Sequence, residues 1–237
     1  MIQMQMSLGE VLRLTLFGTS HGPLVGAFLE GVPAGISIDF PKLETLMNER
    51  RPGGRYASKR REPDNVKFLS GVDNGITTGG KIEISIKNKD VRTKDYSFLP
   101  DHPRPGHQDM VMMKKTDGEA DLRGGGMSSA RLTAPIVAAS AIITPLIEQL
   151  GININAHVCS VGTIDSKPLG ECEPKWETEE CRDIRCQDKK AAIEMIKLVE
   201  QHRMNLDSIG SKVELQICGM PMGIGEPWFD GLEPYLA

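Results

Sequence analysis

Leu12-Arg13-Leu14-Thr15-Leu16-Phe17-Gly18-Thr19-Ser20-His21-Gly22-Pro23-Leu24-Val25-Gly26-Ala27-Phe28-Leu29 decides the fold class. Two short apolar runs, Leu12–Phe17 and Leu24–Leu29, flank a loop of turn residues, which predicts two strands joined by that loop. Gly18-Thr19-Ser20-His21-Gly22 formally matches the G-x-S-x-G elbow of serine hydrolases. That elbow runs from a strand into a helix, whereas this loop runs into a second strand, so a hydrolase is disfavoured. Local, hairpin-like pairing of this kind points to an α+β sandwich rather than a doubly wound parallel sheet.

Outward from the hairpin, Leu43, Leu46 and Met47 stand at helical spacing within Pro41–Arg50, and Lys81–Lys87 alternates as a half-exposed strand. Lys89–Gly126 shows little periodicity and holds Pro100, Pro103 and Pro105. A stretch of that length without regular structure is more often functional than idle. Thr133–Leu150 reads as a largely buried helix with Pro145 as a kink point and Gly151 as its stop. Ile152–Ile164 and Lys212–Cys218 read as strands. Asp188–Arg203 reads as an amphipathic helix built on Ala192, Ile193, Ile196 and Val199. The acidic Pro168–Asp188 stretch is expected to be a solvated surface excursion. No repeat or low-complexity tract divides the chain, so one domain over residues 1–237 is expected.

Composition excludes several classes. Hydrophobic residues at 39% and charged residues at 25% are ordinary for a globular protein. A net charge of −4 and 5% aromatics disfavour a basic or base-stacking nucleic-acid binder. The apolar stretch Ala134–Leu150 is interrupted by Pro135, Ser140, Thr144 and Pro145, which disfavours a membrane span. Met1–Met6 lacks a basic n-region, so no secretion signal is read there. Cys159, Cys172, Cys181, Cys186 and Cys218 contain no C-x-x-C pair and match no common zinc spacing. Reduced thiols, no metal and a cytoplasmic setting are expected.

Four loops carry chemistry. His21 lies between glycines in the hairpin loop, where an imidazole can exchange a proton near neutral pH or simply bond backbone. Arg104-Pro105-Gly106-His107-Gln108-Asp109 sets a second histidine on a tight turn, with Asp109 placed to orient it and His102 facing solvent. Arg50, Arg51, Arg55, Lys59, Arg60 and Arg61 outnumber Glu49 and Glu62. In an acidic chain this is either a solvated basic loop or an anion pocket, since guanidinium forks match phosphate and carboxylate oxygens. Arg123-Gly124-Gly125-Gly126-Met127-Ser128-Ser129-Ala130-Arg131 runs three glycines into hydroxyl residues that can cap the following helix. Such a segment is either a hinge or a phosphate cradle. It is neither a Walker motif nor a dinucleotide fingerprint.

Phe17-Gly18-Thr19-Ser20-His21-Gly22, Arg50-Arg51-Pro52-Gly53, Arg60-Arg61-Glu62-Pro63-Asp64, Arg104-Pro105-Gly106-His107 and the Arg123–Arg131 segment, in that order, resemble chorismate synthase. The resemblance implies a β-α-β sandwich of that family's type and an anti 1,4-elimination of phosphate from 5-enolpyruvylshikimate 3-phosphate, giving chorismate with reduced FMN. It implies proton-donating roles for His21 and His107. Arg50 and Arg55 match arginines credited with a phosphorylated ligand (NADPH in the family's bifunctional members). Arg131 falls among the substrate arginines, and Met127, Ser128 and Ser129 fall where the family contacts flavin. A homotetramer with a small-molecule substrate is implied as well. Thr19 and Leu132 stand where the family usually has Glu, and Met127 where it usually has Arg. Family chains also continue well past the position matching Gly225-Glu226-Pro227. The chain is therefore expected to lack C-terminal flavin-contacting segments and to form little chorismate alone. The alternative is a non-catalytic flavin- or anion-binding remnant.

Overall fold

A computed structural model of the chain describes residues 6–51, 60–91, 93–170, 175–228 and 231. Two compact units divide the described residues, one running to position 145 and the other from position 146 onward.

The first unit carries β1 (Ser7–Leu8), β2 (Arg13–Gly18), β3 (Leu24–Glu30), β4 (Ala34–Ser37), α1 (Phe40–Arg50), β5 (Val66–Ser70), β6 (Val72–Asp73), β7 (Ile76–Thr78), β8 (Ile82–Lys87), α2 (Asp109–Thr116) and most of α3 (Thr133–Glu148). Its main sheet is antiparallel in the order β1-β2-β3-β8-β5, and a smaller one runs β4-β7-β6. The expected hairpin is β2–β3, in register from Arg13↔Glu30 to Gly18↔Val25. Val25, Ala27 and Leu29 stand opposite Ile86, Ile84 and Ile82 across β3–β8, and all six are fully buried. Burial of each aliphatic side chain contributes about 1.5–3 kcal/mol, so this ladder anchors the loops at its ends. Gly26 has no Cβ because one would lie 2.3 Å from the Phe17 ring, which stacks 4.7 Å from Phe28.

Helix α1 starts at Asp39, whose side chain accepts from the Lys42 N–H (2.9 Å), and buries Leu43 and Met47. It ends on Arg50, one of the expected site cations. Ser129 caps the 3-10 turn Ala130–Leu132 leading into α3, accepting from the Arg131 N–H at 3.3 Å. Helix α3 buries Ala134, Pro135, Ala138, Ala139, Ala141 and Ile142 and stops at Gly151 with φ +79°.

The second unit holds β9 (Asn153–Val161), β10 (Ile164–Asp165), α4 (Glu179–Ile184), α5 (Lys189–Met204) and β11 (Ser211–Cys218), with strand order β10-β9-β11. Two expectations are corrected. Lys89–Gly126 holds a 3-10 turn, Thr93–Tyr96, and α2, which turns Met112 inward. The acidic stretch is no mere excursion: Thr178 caps α4, and Cys181 and Cys186 are buried with Val161, Ala191, Ala192 and Met195. Its acids mask a short helix whose single inward turn is too brief to show a period. Cys159, Cys181, Cys186 and Cys218 are free thiols, and no metal-binding cluster occurs among the described residues. Cys172 lies outside the described residues.

Candidate active site

Asn88, just past β8, ties the site together. Its Nδ2 donates to the carbonyls of Thr19 (3.0 Å) and Gly22 (2.8 Å), closing the His21 loop. Its Oδ1 accepts from Arg131 Nε at 2.9 Å. The glycine loop packs onto the same place: Ser20 N–H donates to the Gly126 carbonyl (3.1 Å), and Gln108 Nε2 to that of Gly125 (2.8 Å). Gly124, Gly125 and Gly126 all have positive φ, which L side chains rarely adopt. A Cβ on Gly124 would fall 2.5 Å from His21 Nε2, and one on Gly126 would fall 2.0 Å from the Asp121 carbonyl oxygen. On Gly125 it would meet His107 Nε2 only at 3.9 Å. The first glycine therefore packs against His21, and only a side chain added at the second would come within reach of His107.

Beside it opens a cleft of about 490 Å³, lined by His21, Arg50, Arg60, Tyr96, Ser129 and Arg131 among others. Two buried carboxylates organise its cations. Asp64 accepts from Arg50 Nη1 at 2.8 Å and, through its other oxygen, from Arg131 Nη1. Glu62 accepts from Arg60 at 3.0 and 2.7 Å and from the backbone N–H groups of Lys89 and Asp90. Arg60 also donates to the Ser20 hydroxyl and carbonyl at 2.8 and 2.7 Å. Arg131 is buried, and its Nη2 has no partner among the described residues.

The two histidines differ in support. His21 is buried, with its Nδ1 unpartnered among the described residues and the Tyr96 ring edge-on at 4.8 Å. Burial first, then the Arg60 and Arg123 cations, hold it below the ordinary value of 6.5, so the ring is neutral near neutral pH. His107 is exposed, and its Nδ1–H donates to Asp109 Oδ1 at 2.7 Å. Arg104 grips Asp109 from Nε (2.8 Å) and Nη2 (2.7 Å), and this pairing holds the buried carboxyl well below the usual carboxylate range despite burial. With Asp109 ionised, the His107 tautomer and ring plane are fixed.

A chorismate synthase family model matches residues 12–237. The chain belongs to the chorismate synthase family. It is 42% identical over 232 residues to the chorismate synthase of Aeropyrum pernix, covering 98% of this chain and 61% of that one. To that of Methanosarcina barkeri it is 40% identical over 230 residues, covering 97% and 62%. A crystal structure of chorismate synthase superposes with TM-score 0.62 at 21% identity, over 91% of this chain and 60% of the other, which shows the fold. The chain thus spans about three-fifths of the length of these relatives.

Of the residues expected at a chorismate synthase site, the structure brings His21, Arg50, Ser129 and Arg131 to the cleft. His107 reaches the glycine loop at Gly125 without lining the cleft, and Met127 and Ser128 sit on that loop outside the cleft lining. Arg55 lies outside the described residues. Thr19, in place of the family's usual Glu, donates to Asp121 Oδ2 at 3.0 Å, so a carboxylate reaches that spot from another loop. Leu132 is buried in the core, where a Glu would be an uncompensated charge. Asp64, Glu62, Asn88 and Tyr96 were not singled out. The two acids flank Pro63 inside a quoted motif, a signal that the surrounding arginines obscured.

Proposed function

We propose that this chain catalyses the anti 1,4-elimination of phosphate from 5-enolpyruvylshikimate 3-phosphate to give chorismate, with reduced FMN as cofactor. One observation carries the reading: Arg131, buried in the cleft wall beside Arg50 and the glycine loop, keeps a guanidinium nitrogen for which the described residues supply no acceptor. An anionic oxygen would satisfy it, and the proposed substrate offers a phosphate and two carboxylates.

A flavin phosphate would be held where Gly124 and Ser129 line the cleft beside Arg131, with Met127 and Ser128 next along the loop; the space beside Gly124 and Gly126 on their Cβ side is taken by the His21 ring and the Asp121 carbonyl. Reduced flavin, when bound, supplies electron density for the departure of phosphate. The remaining work falls to side chains. Arg50, Arg60 and Arg131 hold anionic oxygens and help exclude water. His21 gains proton affinity when a multiply charged anion enters beside it, and then holds a proton near the departing phosphate or the flavin. His107, with Nδ1–H fixed on Asp109, has Nε2 for the complementary proton transfer. The reading carries with it a cytoplasmic homotetramer, checked by sedimentation.

Anaerobic incubation of the 237-residue chain with reduced FMN and 5-enolpyruvylshikimate 3-phosphate tests the reading. Chorismate formation, followed by absorbance, is expected, which departs from the sequence-based expectation that residues 1–237 alone form little, because His21, Arg50, Ser129 and Arg131 already line one cleft. Binding of both ligands without chorismate would overturn the catalytic reading, and binding of neither would overturn the cleft assignment.

A further inference from the structure

We infer that Asp64 is the positioning residue of the anion site: its buried carboxylate holds Arg50 and Arg131 side by side as one fork for an anionic oxygen. This rests on the proposed function for the ligand's identity, but its geometry stands alone. Each oxygen of Asp64 takes one guanidinium, Oδ2 from Arg50 Nη1 and Oδ1 from Arg131 Nη1. The inner nitrogens are braced as well, with Arg50 Nε donating to Thr133 Oγ1 at 3.3 Å and Arg131 Nε to Asn88 Oδ1 at 2.9 Å. Each arginine is thus fixed at two points, one of which is Asp64.

Without Asp64, two cations reaching one wall would repel, and ordering them would fall to the ligand. The local backbone is built for this role. Asp64 has φ +49°, a left-handed conformation that follows Pro63 and that Asp and Asn tolerate better than most residues. Pro63 separates it from Glu62, which does the same for Arg60 through two bonds. The segment 60–64 therefore supplies one buried carboxylate to each group of cleft cations. Asp64 touches no reacting atom; it acts through the arginines.

Two effects of removing its charge oppose each other, which makes the sign of the result decisive. If Asp64 merely cancelled charge, Asp64→Asn would leave the cleft more positive and tighten anion binding. If it positions, the same variant weakens binding, because an amide offers one acceptor where two guanidiniums need two.

The test measures binding of inorganic phosphate and, separately, of 5-enolpyruvylshikimate 3-phosphate by calorimetry. It uses the parent chain, Asp64→Asn, Arg131→Met and the double variant. Asn preserves side-chain shape and suits the left-handed backbone, and circular dichroism confirms that each variant folds. The expected result is a loss of about 10–100-fold for both ligands in Asp64→Asn, the worth of one or two charge-assisted hydrogen bonds. In the Arg131→Met background the loss should shrink several-fold, because the fork is already broken. Unchanged or tighter phosphate binding by Asp64→Asn overturns the inference, as does an equal loss in both backgrounds. Phosphate binding that depends on Asp64, with no binding of the enolpyruvyl compound by the parent, would instead overturn the proposed substrate and leave the positioning role standing.

Discussion

The His21 loop and the His107 loop are built from the same materials, an imidazole beside glycine and proline with cations near, yet they solve opposite problems. His21 is buried, lacks a partner at Nδ1 among the described residues and is kept neutral by its surroundings. His107 is exposed but clamped through Asp109 and Arg104. A buried ring takes its position from packing and surrenders proton affinity; an exposed ring needs a hydrogen bond for its position. Tyr96 lies between the two systems, edge-on to His21 and with the Arg104 guanidinium 5.7 Å over its ring.

The sharpest way to break this contrast is to remove each ring. His21→Ala and His107→Ala should each lower chorismate formation roughly 10²–10⁴-fold, the usual worth of a general acid–base group. Urea melts should separate them: the His107 variant unfolds like the parent, whereas the His21 variant is less stable because a buried ring leaves a void. Equal stabilities would erase the distinction.

Next come the glycines. Gly124→Ala drives a Cβ to 2.5 Å from His21 Nε2 and should cost on the order of 10²-fold in turnover through misplacement of that ring. Gly125→Ala meets His107 only at 3.9 Å and should cost clearly less, chiefly the strain of φ +87°. Turnover rates of the two variants, compared side by side, check this.

Asp109→Asn should lose about 2–3 kcal/mol in a urea melt, because Arg104 keeps only part of its pairing. The smallest effect is in pH dependence. Since His21 titrates below 6.5 when folded, the unfolded chain binds more protons between the folded value and 6.5. Stability therefore falls as pH drops below about 6.5, and His21→Asn should flatten that fall. Asp109, also depressed, loses its contribution only below the ordinary carboxylate value of 3.8, at lower pH. Thermal melts across both windows read the two loops separately.

The strands β2, β3 and β8 and the helices α1, α3 and α5 were legible because each carries enough apolar residues at one period to declare its face. The small strands β4, β6 and β7 were not, being four residues or fewer and largely exposed. Helix α4 hid because its acids outweigh Cys181 and Ile184 in any window average. At the site, His21, Arg50, Ser129 and Arg131 could be named from motif order. The pairing of Arg50 with Arg131 could not, because a carboxylate shared by residues from three segments leaves no local spacing to read. Asn88 follows an ordinary alternating strand, and only its three side-chain hydrogen bonds distinguish it.

Those three bonds also bear on the order of events in refolding. They close separations of 69, 66 and 43 residues, whereas the β2–β3 hairpin needs only a five-residue connection. Loop-closure entropy must be met before such distant contacts are rewarded, so the hairpin has a head start and the Asn88 junction is among the last features to form. After dilution from urea, backbone dichroism should recover before phosphate affinity does, and simultaneous recovery would refute that order. A partly folded chain would then carry its sheet without its anion affinity, making ligand capture a sign that folding has finished.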